Sequence, residues 1–450
     1  MPLEAHVHGV WLGKQTAKGT ENTTPAHRMV LQSGDMETQR DDGKTNWSDL
    51  NKYGGHTDYV NSVLGQGTPV FEATPSETGF AMWAAHGAET VTAGTDNVQT
   101  LGGSPGSGTF TLLIDDGGQN LISVPGIANN VASAALATSI NAAMLAAGHT
   151  GTPVVCTGGP LNTTPITVTF SGVTTAKRPF TLSKTADTTS PAVSITNTTP
   201  GVRTKHSVKP QALPGHWLTL VRRVGATVVQ RHSYVDTLVN GITLEAATSQ
   251  KEVRLGLNLL SLNPGKVLTS DPTANLPTGI DLKPFLYTDG AGAFTIDGTV
   301  FRGQSQFQFS TTEGRTPVPG DDVTVHDLAV SNPGVTIGCT IVFDSDGLGE
   351  WNKLFYGTAT PAAGTLPLKN IPPLGSYSAV LTQKTPNGNP SGNKLGLTIP
   401  GVKWTVPPAP APNPEGGNTE IALAGEMRPI SGLDPYTIDT WNGDPSAYTA

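Results

Sequence analysis

WLGKQTAKGTENTTPAH, residues 11–27, can be read in two ways, and the choice decides the fold. It holds a Gly-Lys pair and a threonine near the start of the chain, as a phosphate-cradling loop does. That loop needs Gly, four intervening residues, Gly-Lys and then Ser or Thr. Gly9 stands one residue too close to Gly13, and Gln15 occupies the position of the magnesium-binding hydroxyl. The stretch therefore reads as the end of a β-strand, HVHGVWLG, running into a polar Gly/Thr turn, KQTAKGTENTTP.

The rest of the chain supports a mainly β reading. Its 450 residues suffice for more than one core, and only 14% are charged. Gly (53) and Pro (36) make it turn-rich without reaching the composition of disorder. Thr and Val recur in short alternating runs, which suit many short strands. The formal net charge is -8, and no basic block of the kind that grips phosphates is present. Cys156 and Cys339 are far apart and suit buried, reduced thiols better than a disulfide framework. MPLEAHVHGVW has neither a basic nor an apolar leader region, and no apolar run approaches about 18 residues. The expectation is a cytosolic protein, made there and kept until it enters an assembly, with no membrane anchor. The sequons at Asn22, Asn46, Asn162 and Asn197 then carry little weight.

Four segments emerge. In 1–102, TPSETGFAMWAAHGAE predicts a helix with Thr74 as N-cap, Pro75 at its first position, Glu77 completing a capping box and Gly87 as the stop. Phe80, Trp83 and Ala84 share one face, so this helix should close one side of a sheet. GGSPGSG at 102–108 reads as a linker into an inserted module, 103–201. The module contains a hairpin arm at GTFTLLIDDGG and a helix striped by Leu136, Ile140, Ala143, Met144 and Ala147. Two strands follow around a Gly-Pro turn, and a closing strand pair lies in TLSKTADTTSPAVSITNTTPG. The host resumes in 202–281, where Leu218, Leu220 and Val228 lie in strands split by Gly225-Ala226. In 282–450 the order strands, helix, strands recurs, with GEWNKLFYG as the helix. PPAPAPNPEGG is a stiff loop between strands.

No chemistry-bearing constellation stands out. His6 and His8 could share a strand face, but no third ligand is placed by spacing. Asp41-Asp42, Asp115-Asp116 and Asp321-Asp322 read as solvated turns, since adjacent strand residues point to opposite faces. DSDGLGE, Asp344 to Glu350, lacks the spacing and flanking helices of a calcium loop. No nucleophile elbow or spaced Cys/His pair appears. The expectation is a scaffold, with no catalytic, cofactor or metal residue and no cofactor.

VWLGKQTAKGTENTTPAHRMVLQSGD, TPSETGFAMWAAHG, PGHWLTLVRRVG with YVDTLVNGITLEA, and the closing YTIDTWNGDPSAYTA resemble the major tail tube proteins of long-tailed, siphovirus-type bacteriophages. The resemblance covers most of residues 1–100 and 202–450. GTFTLLIDDGGQ, VVCTGGPLNTTPITVTFSG and SITNTTPG resemble a module that recurs as an insertion in phage virion proteins. It implies a β-sandwich or half-barrel, here two tandem tube domains each with one short helix, plus a small inserted α+β or β-rich module. It further implies rings of three two-domain chains, pseudo-sixfold, or of six. These would stack into a virion tail tube assembled in the host cytoplasm. The implied partners are further copies of the chain, tail tip or initiator, tape measure and terminator proteins, with DNA passing through the lumen without specific binding. Long polar arms at 33–57 and 311–326 are candidates for ring-to-ring contact or surface loops. Two other classes remain. One is a carbohydrate-binding virion adhesin stacking sugars on Trp11, Trp47, Trp217 or Trp351. The other is a glycan-degrading enzyme, which requires two carboxylates facing one cleft.

Overall fold

A computed structural model describes residues 8–448 except 47–55, 118–119, 172–177, 211–215, 226–228, 250, 270–282, 291–293, 302–303, 320–324, 331–332, 371–373, 408–418 and 445. The fold is mainly β and antiparallel. The strand and turn read from residues 11–27 open it. β1 (His8–Lys14) is followed by β2 (His27–Met29), β3 (Leu31–Ser33), the hairpin β4 (Met36–Asn46) and β5 (His56–Gly67), and β6 (Val70–Glu72). Helix α1 (Pro75–His86) and β7 (Gly87–Thr92) come next.

Pro75 stands at the start of α1, and Gly87 ends it at φ 80° with its N–H on the Trp83 carbonyl. The expected capping box does not form. Thr74 makes no side-chain cap bond, and Glu77 turns instead to His27, 3.2 Å away. Nor does α1 bury one face alone: all twelve residues are buried. A helix wrapped on every side has no polar stripe to show, which is why its amphipathicity misleads.

A separate core lies in the insertion. β8 (Asn97–Gly102), β9 (Thr109–Asp115), β10 (Leu121–Ala128), α2 (Ser133–Ala146), β11 (Val154–Gly158), β12 (Ile166–Phe170), β13 (Thr181–Thr185) and β14 (Ser194–Thr199) build it. One sheet runs β11-β12-β8-β14 and the other β10-β9-β13. Leu136, Ile140 and Met144 of α2 seal the core, with Ala143 and Ala147 packed beside them. Two expectations change. Residues 102–108 are a bonded crossover between the two sheets, with Gly106 N–H on the Ser190 carbonyl, and β8 ahead of it belongs to the module. β13 and β14 are not partners. Each completes a different sheet, because β9 and β8 offer the free edges.

β15 (Thr204–Pro210) returns antiparallel to β7, so the module sits in the turn of a hairpin. β16 (Leu218–Val224), β17 (Gln230–Ala247), β18 (Arg254–Ser261) and β19 (Lys266–Val267) follow. Val228 lies outside the described residues. The remaining elements are β20 (Phe294–Ile296), β21 (Thr299–Val300), β22 (Gln304–Thr312), the hairpin β23 (Arg315–Pro319) and β24 (Val325–Val330), and β25 (Gly334–Val342). Helix α3 (Ser345–Tyr356), β26 (Gly375–Lys384), β27 (Pro390–Trp404), β28 (Glu420–Met427) and β29 (Thr437–Asn442) complete the chain. The two polar arms are the hairpins β4–β5 and β23–β24.

The pairings themselves repeat. β1–β2, β1–β16, β16–β17 and β17–β18 recur as β20–β21, β20–β26, β26–β27 and β27–β28. β3–β6, β6–β18 and β17–β19 recur as β22–β25, β25–β28 and β27–β29. The halves are nonetheless welded. β17 pairs with β22, β15 pairs with β29, and one hydrophobic core runs from Val10 to Tyr448. Long β17 passes from β16 to β22 near Asp236, whose φ of 56° an aspartate tolerates, and a bulge at Val239/Gly241.

Candidate functional site

The pairings β3-β6-β18-β17-β22-β25-β28 form a run that draws strands from both halves. Period-2 alternation sorts its side chains cleanly. Across β18, β17, β22 and β25 one buried row reads Leu255, Leu244, Phe309, Ile337, and the next reads Leu257, Ile242, Thr311, Val335. The opposite face carries the interleaved rows. Gly256, Thr243, Ser310, Thr336 and Glu426 face one another in register. Arg254, Glu245, Gln308, Gly338 and Ala424 form the row beside them.

This face is hydrophilic but nearly uncharged. Thr243 and Ser310 hydroxyls meet at 3.3 Å across the β17–β22 joint. On the outward positions of β18, β22, β25, β28 and residues 241–247 of β17, the charged residues are Arg254, Glu245, Glu420 and Glu426, a formal -2. Arg254 and Glu245 approach to 3.9 Å, and Arg428 beyond the end of β28 bonds Glu426 at 2.9 Å. Lys403 lies opposite Glu426 at the same margin. Two shallow depressions of about 470 and 330 Å³ lie on the face and share Ser310. Such a surface offers hydrogen bonds everywhere and a strong anchor nowhere. Its sign repels polyanions.

The residues singled out in the sequence are scattered. His8 begins β1, and His6, Trp47 and Asp321-Asp322 lie outside the described residues. Asp41-Asp42 is not in a turn: the pair sits within β4 at a register shift opposite Ser62 and Val60. Asp115-Asp116 is not solvated either. Asp115 accepts from Thr385, Asn387 and Asn389 of the second half at 3.2, 3.2 and 2.8 Å, and Asp116 lies 3.1 Å from His149. A buried carboxylate persists where donors converge on it, and sequence proximity gave no hint of those at 385–389.

DSDGLGE is the start of α3, where Asp344 accepts from the N–H groups of Asp346 and Gly347, both at 3.0 Å. That is an N-cap. Among the described residues no group of three or more His, Cys, Asp or Glu could hold a metal ion. Cys156 and Cys339 are free, and burial pushes both thiols up to about 12. Trp11 is buried, Trp217 lies under Lys18, and Trp351 stacks on Phe355 with its N–H on the Pro407 carbonyl. No helix of the described residues is long and apolar enough to cross a membrane. The polar face itself was missed by sequence reading. Its Thr/Ser/Gln/Gly alternation is visible, but nothing local says that the strands of both halves lie side by side.

No protein-family model matches the chain, and no curated protein matches it.

Proposed function

We propose that this chain is a structural subunit that assembles with copies of itself into a ring, and that stacked rings make the tail tube of a siphovirus-type bacteriophage. The observation that carries the reading is the run joining both halves, apolar on one side and hydrophilic, lysine-free and acidic on the outward side of β17, β18, β22, β25 and β28. A channel for duplex DNA needs a wall whose basic residues are outnumbered by acids, as Arg254 is here beside Glu245. Three chains of -8 give each ring a formal -24, which keeps the duplex from sticking. The pairings that occur twice per chain favour rings of three two-domain chains, pseudo-sixfold, over rings of six. The tail tip or initiator, tape measure and terminator proteins would be the other partners. No catalytic role is assigned.

Negative-stain microscopy of the purified chain tests this. Rings or tubes with a central hole are expected. Particles that stay monomeric at high concentration and bind glycans would move the protein to the adhesin class. Buried Trp11 and the half-buried Trp217 and Trp351 speak against a sugar platform.

A further inference from the structure

The two helices occupy the same place in the two halves. α1 begins three residues after β6 ends and α3 three residues after β25 ends, and each has glycine at its fifth position, Gly79 and Gly349. A mid-helix glycine costs about 1 kcal/mol relative to alanine, so it calls for a close neighbour. Gly79 has one. A Cβ there would lie 2.2 Å from the Tyr448 hydroxyl and 2.7 Å from that of Thr440. Tyr436 covers His86 from the same side. The atoms nearest Gly79 come from the second half, from Thr440 of β29 and Tyr448 beyond it.

Among the described residues α3 has no such cover: the space above Gly349 meets the Ala359 methyl at 3.7 Å, and Leu348 is 42% exposed. Leu366, in the segment after α3, is 74% exposed. The element that corresponds to β29 is β19, since β19 pairs with β17 as β29 pairs with β27. It carries Val267, 72% exposed. Within one chain the second half therefore covers the first-half helix. Among the described residues the second-half helix and the first-half counterpart of its cover are both left open.

We propose that the open face of α3, around Leu348 and Gly349, is the docking site for a second copy of this chain. That copy presents the rim of its own first half, with β19 and Val267 taking the place that β29 takes against α1. This joint rests on the ring reading above and gives the ring its contact. Such a contact is heterologous: neither surface can satisfy itself, so it propagates from copy to copy and closes when the rotation permits. The same approach brings together the two ends of the polar-faced run. Among the described residues these are β28, bonded on its outer side through Val402–Trp404 and Thr405 alone, and β3, which pairs with β6 alone.

Mixed cysteine variants test it in the full chain. In a Cys156→Ser background, Leu348→Cys and Val267→Cys chains are oxidised separately and together. Covalent dimers are expected only from the mixture. Leu348→Asp and Val267→Asp, both at exposed positions, should each raise the concentration for half-assembly ~10-fold or more, with circular dichroism unchanged. Rings that form undiminished in both aspartate variants, with no mixed cross-link, would overturn the joint and leave the ring reading standing. Dimers from Leu348→Cys alone would mean a two-fold contact and overturn it as well. A wild-type chain that stays monomeric at high concentration and binds glycans sinks the ring reading, and the joint with it.

Discussion

At the scale of single residues, Gly79 shows how context reverses a local preference. Replacing a helix-interior glycine by alanine gains about 1 kcal/mol in an isolated helix. Here the new methyl would meet the Tyr448 and Thr440 hydroxyls at 2.2 and 2.7 Å, inside a helix with no exposed side. Overpacking of that kind costs about 1–3 kcal/mol, so the clash outweighs propensity. Gly79→Ala is expected to lower the urea midpoint, and Gly349→Ala in the unassembled chain to leave it unchanged or raise it. Asp289 gives a second test. Burial pushes its carboxyl up to about 6, although it accepts the Leu286 N–H at 2.8 Å. The folded state therefore holds this proton more tightly than the unfolded chain, whose value is near 3.8. Asp289 contributes stability that is fully present below pH 3.8 and is lost as pH rises towards about 6. Denaturant midpoints measured across that window should fall less steeply in Asp289→Asn.

At the scale of elements, the insertion is a graft on a hairpin. β7 and β15 stay in register, Thr92 opposite Lys205, while a module with its own core leaves and returns between them. Replacing residues 93–204 with an Asn-Gly turn should give a chain that keeps its cooperative unfolding transition, because the host core draws no residue from the module. The excision also removes Asp115, the acceptor for the side chains of Thr385, Asn387 and Asn389 in the host. Calorimetry and ring formation check this, and a variant that fails to fold would show the module to be structurally integral. The insertion was readable in the sequence because α2 has a stripe of apolar residues at helical spacing. Its strand partners were not, because β13 and β14 alternate alike and either could have paired with the other.

At the scale of the whole molecule, the polar face is the property that no single strand possesses. A stripe of lysines across it should convert a surface that repels duplex DNA into one that holds it. Thr243→Lys, Gln308→Lys and Thr336→Lys lie on three adjacent strands, β17, β22 and β25, with outward side chains. The triple variant is expected to bind a labelled duplex in anisotropy measurements, with log affinity falling by about 0.9 per phosphate contact as log salt rises. The unmodified chain should bind weakly at every salt concentration. Tight, salt-insensitive binding by the unmodified chain would contradict a conducting wall.

What the sequence determined by itself was the alphabet of the fold: short alternating strands, helices with legible glycine stops at Gly87 and Gly357, and a spliced module. Alternation and helix-ending residues act within a few positions, so a linear reading recovers them. Only the tertiary structure decided which strand edges meet, which side of each sheet is covered, and that among the described residues one helix is enclosed while its counterpart is open. It also decided that Asp115 is buried among donors some 270 residues away. Hydrogen-bonding edges of antiparallel strands are chemically alike. Their choice of partner is settled by the burial of apolar faces over the whole chain, which no window of sequence contains.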